Sequence, residues 1–163
     1  VINVNGNNCE TFMNGAYTLK GKSHCDNHTT VDHKVAHCYS KELYKGVIDD
    51  RATNVFNGKV FVRKDAQKIN AFQSNANILL SETGTVNSKP ELEIYADDVK
   101  CSHGSTTGQL DEEAVFYLRS RGLTEKSAKE LLVKAFLGEV LEEVDNREVR
   151  SYLEKEIELH FSA

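Results

Sequence analysis

Two groups of residues in this chain have the types and spacing to do chemistry. The denser one is His24, Cys25, His28, His33, His37 and Cys38. Imidazole and thiolate are the ligands that zinc and iron prefer, so this stretch is a candidate metal site. Its spacing matches no compact finger, because no CxxC pair precedes an HxxxH pair. On a strand, residues an even number apart share a face, which groups His33 with His37 and puts Cys38 opposite. Histidines satisfied on a polar face are the commoner meaning of such a pattern. The second group, Cys101-Ser102-His103, is sharper. Positions i and i+2 of a strand point the same way, so a thiol and an imidazole stand side by side. Gly104 follows and opens the backbone beside them. A thiolate next to a histidine suits metal or sulfur chemistry, or nucleophilic attack. A buried, inert Cys beside a surface His fits the triplet equally well.

Signatures of self-contained catalysis are missing. The chain has no GxxxxGK[ST] loop, no GxGxxG, no HExxH and no GxSxG. Asp97 and Asp98 are adjacent, as are Asp49 and Asp50, so on a strand each pair faces opposite ways and makes no general acid/base couple. These absences argue against a hydrolase or an NTPase.

The 163 residues, 39% hydrophobic and 28% charged, describe one globular domain, or one with a small appendage. No apolar run reaches the roughly 20 residues of a membrane helix. The first residue is Val1, the start expected of a fragment or a processed form. Four cysteines and one proline fit reduced cytosolic thiols better than a disulfide scaffold, so a cytoplasmic location is expected. A net charge of −5 speaks against nucleic-acid binding.

The elements that must position these residues divide in two. Residues 1–110 carry 12 basic and 12 acidic side chains, whereas 111–163 carry 8 and 13. Up to Gly108 the runs Thr11–Met13, Ala16–Leu19, Val60–Val62, Ile78–Leu80 and Leu92–Tyr95 read as strands, with Asn5-Gly6, Asn14-Gly15, Asn57-Gly58 and Glu82–Gly84 as turns. Such a series allows a sandwich, a barrel or a solenoid. Asn70, Asn75 and Asn77 lean toward the solenoid, where amides stack between rungs, although exposed turn asparagines explain them as well. Beyond Gly108 the pattern is helical. Asp111 caps a first helix with Ala114, Val115 and Leu118 as its apolar stripe and Gly122 at its end. Thr124 caps a second with the stripe Ala128, Leu131, Leu132, Ala135 and Phe136. Asp145 with Glu148 caps a third, where Val149, Tyr152, Leu153 and Ile157 share a face. Three short helices cannot close a core alone and are expected to pack on the β region or on a partner.

The stretch Lys89-Pro90-Glu91-Leu92-Glu93-Ile94-Tyr95-Ala96-Asp97-Asp98-Val99-Lys100-Cys101-Ser102-His103-Gly104 resembles the signature of the SufB/SufD family of iron–sulfur cluster assembly proteins. Phe116–Gly122 is similar to that family's first C-terminal helix. Gln73–Leu80, His37–Ser40 and Lys45–Val47 fit it too. Within the family the pattern is nearer SufD. The SufB scaffold has a cysteine about where Asn75 stands and a glutamate about where Gly104 stands, so a subunit that nucleates a cluster alone is not implied.

The resemblance implies a mainly β fold: a right-handed parallel β-helix over 1–108, the C-terminal part of a longer one, followed by an α-helical region over 109–163. It implies a non-catalytic subunit that supports iron acquisition and cluster assembly. Its partners are a SufB-like subunit, or a second copy, at the end of the β-helix, and a SufC-like ABC ATPase at the C-terminal helices. Mapped onto this chain, Glu91–Cys101 is the pairing strand, with Leu92, Ile94, Tyr95 and Val99 in contact. Cys101 and His103 lie at the junction and meet transient iron or a nascent cluster. No tightly bound cofactor is implied, and ATP enters through the partner only. Phe116, Tyr117, Arg119 and Arg121 lie partly off the Ala114/Leu118 stripe of the first helix and are the ATPase-docking candidates, solvated surface being the plainer reading of the arginines. Two other functions fit the residues: a stand-alone metal-binding β-solenoid using the His24–Cys38 cluster, and a structural homodimer without ligand.

Overall fold

The computed structural model describes residues 1–162. Eight strands come first: β1 (Ile2–Val4), β2 (Glu10–Leu19), β3 (His24–His33), β4 (Tyr39–Ile48), β5 (Thr53–Val62), β6 (Ile69–Leu79), β7 (Thr85–Ile94) and β8 (Val99–Gly108). Odd strands stack as one parallel sheet, β1-β3-β5-β7, and even strands as another, β2-β4-β6-β8. The chain thus winds from sheet to sheet and back, a β-solenoid of about four turns.

Pairing is parallel and in register, so each side chain sits above its counterpart one turn away. In the second sheet the inward files are Ser40, Ala71 and Cys101, then Glu42, Gln73 and His103, then Tyr44, Asn75 and Ser105. Burial alternates strictly along β5 and most of β6, which are covered on both edges by neighbouring strands. The apolar half of the interior includes Val4, Val31, Val60, Val62, Ile69 and Ala71. Sealing each such valine or isoleucine from water contributes roughly 1.5–3 kcal/mol. The polar half is a hydrogen-bonded knot. Tyr17 Oη donates to Asn77 Oδ1 at 2.9 Å and accepts from Asn54 at 3.0 Å and Asn75 at 3.1 Å. Asn75 and Asn77 are therefore ladder residues, whereas Asn70 is exposed.

Two expected turns lie in mid-strand instead. Asn14-Gly15 is inside β2 and Asn57-Gly58 inside β5. The glycines serve space: a Cβ on Gly15 would come within 2.6 Å of the Tyr44 ring, and one on Gly58 would collide with Gln73 Nε2 and Phe56. The true corners use left-handed residues. Asn8 (φ 58°), His37 (φ 61°) and Lys68 (φ 61°) occupy one corner a turn apart.

Three helices follow: α1 (Glu112–Ser120), α2 (Glu125–Glu142) and α3 (Arg147–Ser162). Asp111 Oδ1 accepts from Glu113 N at 2.9 Å and Thr124 Oγ1 from Ser127 N at 3.1 Å, and Gly122 takes φ 97°. The third cap is Asn146, not Asp145: its Oδ1 accepts from Glu148 N and Val149 N. Helix α2 packs on the outer face of β4 and β2. Its buried residues are Ala128, Val133, Leu137, Val140 and Leu141, a face rotated from the expected one, and Leu131 is 47% exposed. The seat decides this rotation: Val47 offers the apolar surface that Val133 and Leu137 cover. Lys45, buried beneath the helix, pairs with Glu139 and lies 4.5 Å from the Phe136 ring centre.

Candidate functional site

Cys101 and His103 sit on β8, the last strand of its sheet. They share the inward side, in register with Ala71 and Gln73 of β6. Cys101 is half-buried against the apolar core, and that burial raises its thiol pKa. His103 is exposed. The same sheet face continues into Ser105, whose hydroxyl donates to Ser88 Oγ at 2.7 Å; Ser88 in turn donates to Asn75 Oδ1 at 2.9 Å. The thiol and imidazole therefore crown two adjacent inward files at the open end of the solenoid. β7 pairs only with β5 and β8 only with β6, so both end strands present an unpaired backbone edge.

The span Glu91–Cys101 is not one strand. β7 ends at Ile94, Tyr95–Asp98 forms the corner, and β8 begins at Val99 in the other sheet. The corner is tied down by Lys68 N to Asp98 O at 2.7 Å and by Asp98 N to Gln67 Oε1 at 2.9 Å. A solenoid turn must bend there to keep the two sheets facing. Leu92 is half-buried in the core, Val99 packs beside it, and Ile94 and Tyr95 are 40% and 59% exposed. Tyr95 stacks on Phe61 with ring centres 5.2 Å apart.

The histidine-rich stretch is dispersed. His24 and His28 face outward on β3, and His28 Nε2 lies 2.8 Å from Asp26. Cys25 is turned inward and accepts from Asn27 at 3.3 Å. His33 is fully buried with Nε2 2.9 Å from Ser40 Oγ, and burial lowers its pKa. His37 holds the corner, so it shares no strand face with His33, and Cys38 is buried. Among the described residues, no three His, Cys, Asp or Glu side chains are grouped so as to hold a metal ion.

Helix α1, which follows β8 after three residues, buries none of its residues. Phe116 and Tyr117 are 72% and 58% exposed. Arg121 stacks on Tyr117 at 5.3 Å, and Arg119 lies 3.6 Å from Glu125. Phe116 and Arg119 border a groove of about 540 Å³ that also takes in Leu79, Leu80, Leu110 and Val115. Sequence reasoning did not single out the interior acid Glu42, which the structure seals between Thr29 and Gln73. No periodic signal marks it; only the rung register reveals its neighbours.

A parallel β-solenoid of about four turns, followed by three helices, defines the class: a β-helical protein with a C-terminal helical region. The family follows from comparison with known proteins. A family described as SUF system FeS cluster assembly, SufBD core domain, matches residues 1–136, and the chain belongs to it. It is 40% identical over 139 residues to the iron–sulfur cluster assembly protein SufD of Escherichia coli, an alignment covering 85% of this chain and 33% of that protein. It is 47% identical over 126 residues to an iron–sulfur cluster assembly SufBD family protein of Synechocystis sp., covering 77% and 28%. With SufD of Bacillus subtilis the figures are 34% over 116 residues, 71% and 26%. The chain thus spans about a quarter to a third of the length of these relatives. Among its described residues no helix is long and apolar enough to cross a membrane.

Proposed function

We propose that this chain is the C-terminal part of a non-catalytic, SufD-like subunit of an iron–sulfur cluster assembly complex. In this reading the open end of the solenoid pairs with a SufB-like subunit or a second copy. The observation that carries it is the coincidence of two features on one rung: unpaired edges on β7 and β8, and the inward Cys101 and His103. An edge offers main-chain donors and acceptors to a second chain, and a side-by-side thiol and imidazole offer ligands for iron, the cargo. Contacts from Leu92, Ile94, Tyr95 and Val99 would flank the junction. Burial disfavours the thiolate, so binding of iron at the sulfur requires a base or water to accept the thiol proton.

The C-terminal helices dock a SufC-like ABC ATPase, with Phe116 and Tyr117 as apolar anchors and Arg119 and Arg121 at their rim. Exposed aromatics beside a groove are the kind of residue that carries binding energy at interfaces. ATP-driven closure of two ATPases would pull the helical regions together, strain the strand junction and open Cys101 and His103 to iron or sulfur. The test is anaerobic reconstitution of the whole complex with His103→Ala. Assembly should be lost while the subunits still co-purify; normal cluster yield would refute the role. Separately, truncation after Gly108 should abolish ATPase retention.

A further inference from the structure

Glu42 is 1% exposed inside the solenoid, in the file that runs Glu42, Gln73, His103. Its Oε2 accepts from Gln73 Nε2 at 2.9 Å and from Thr29 Oγ1 at 3.0 Å. Gln73 is 3% exposed, and the absence of a side chain at Gly58 makes room for its amide. Among the described residues two buried oxygens in this pair have no partner: Glu42 Oε1 and Gln73 Oε1. Both are acceptors if the acid is ionised, so the arrangement would leave two lone oxygens sealed from water, each costly. One proton removes the problem. Placed on Glu42 Oε1, it turns that oxygen from an acceptor into a donor, while Gln73 Oε1 is an acceptor in want of one.

Among the described residues no cationic side chain is positioned to serve instead. Lys41 and Lys45 of β4 have outward parity and pair with Glu143 and Glu139. The titratable groups on the inward files around Glu42 are Tyr44 on its own strand, Tyr17 on β2, His33 and Cys25 on β3, and Cys101 and His103 at the end rung. Met13 of β2, Thr29 of β3 and Gly58 of β5 carry no charge.

We propose that Glu42 is a proton-binding site inside the solenoid: its carboxyl stands neutral, bonds to the Gln73 carboxamide, and so positions the side chain that lies one rung beneath His103. Glu42 and Gln73 are positioning residues. Burial also pushes the Glu42 carboxyl above its ordinary value, against the pull of its two hydrogen bonds. Only the importance of His103 rests on the function proposed above; the neutral carboxyl stands without it.

The test is urea unfolding of the full chain across pH, comparing it with Glu42→Gln. A glutamine keeps the neutral acid's donor and acceptor, since its amide offers an N–H in place of the acid O–H and an oxygen to accept from Gln73 Nε2. The unaltered chain's unfolding constant should rise, relative to the variant's, up to about tenfold per pH unit above the free carboxyl value of about 4.3. Glu42→Gln should be at least as stable throughout. A variant destabilised tenfold or more, with no such relative slope, would mean an ionised Glu42 and overturn the proposal. Infrared spectra of the unaltered chain provide a second measurement if that variant does not fold. At about pH 6, where exposed carboxyls are ionised, a protonated-acid carbonyl band should persist; its absence overturns the neutral acid. For positioning, Gln73→Leu should shift the ring ¹⁵N resonances of His103 and leave those of His28 in place. An unmoved His103 removes the positioning role. None of these readouts depends on cluster assembly, so a null result for His103→Ala in reconstitution leaves them intact.

Discussion

The solenoid and the helical region solve the same problem differently. In the middle rungs every second residue is sealed, and the two sheets supply each other's core. In the helical region one helix, α2, makes the joint: it buries five residues while α1 buries none. Stacked parallel strands gain neighbours above and below along their whole length, whereas a helix buries only the stripe that a neighbour covers. The difference teaches where the molecule is available to others. The interior turns are covered by neighbours on both sides, whereas the end rung carries unpaired strand edges and α1 carries exposed aromatics.

Substitutions can sharpen that contrast. The largest effect is expected at Phe56, fully buried in β5 and tilted against the Tyr44 ring at 5.1 Å. Phe56→Ala should destabilise the solenoid by about 3–5 kcal/mol, read by urea unfolding followed through β-sheet circular dichroism. Leu137→Ala, at the centre of the α2 seam, should cost about 2–5 kcal/mol. It should release the helices while the strands keep their signal, visible as early hydrogen exchange confined to residues of α2 and α3. Simultaneous loss of both signals would break the comparison, making the two regions one cooperative unit.

Asn75→Ala removes bonds to Tyr17 and Asn77 and should cost about 1–3 kcal/mol by leaving buried partners unsatisfied. A smaller, pH-dependent effect comes from His33. Burial depresses its pKa, so the folded state prefers the neutral ring. Stability is full above the ordinary histidine value of about 6.5 and falls as pH drops through it toward the depressed value. The loss is at most about 1.4 kcal/mol per pH unit, and His33→Leu should flatten the unfolding-versus-pH curve in that window. The smallest change in stability is expected for Phe116→Ala, within about 0.5 kcal/mol because that ring is exposed. Under the docking proposed above, its effect should appear instead as weakened capture of a SufC-like ATPase.

Much of this contrast was legible in the residues. The shift in composition near Gly108 coincides with the end of β8, and the caps Asp111 and Thr124 stand where their residue types suggest. Asn14-Gly15 and Asn57-Gly58 misled, because a glycine that yields room to a ring on the next turn looks like a glycine that bends the chain. The stripe on α2 misled for a related reason. Helical periodicity admits several adjacent faces, and Val47 on the sheet selected the one that is buried. At the candidate site the i, i+2 spacing of Cys101 and His103 correctly placed both on one side of a strand. It could not show that Cys101 is half-buried while His103 is open, since exposure depends on the missing rung above.

Chemistry recorded in local order was decided by the sequence itself: strand-forming runs, helix caps, the thiol–imidazole spacing and the family signature all act over a few residues. Contacts between residues about 30 positions apart were decided only by the tertiary structure. Stacking of successive turns brings Glu42 to Gln73 and Gln73 to His103, and it scatters the histidines of β3 over inner and outer faces. The physical reason is register: a parallel rung fixes which distant side chains share a file, and no local pattern encodes the length of the turn that sets it.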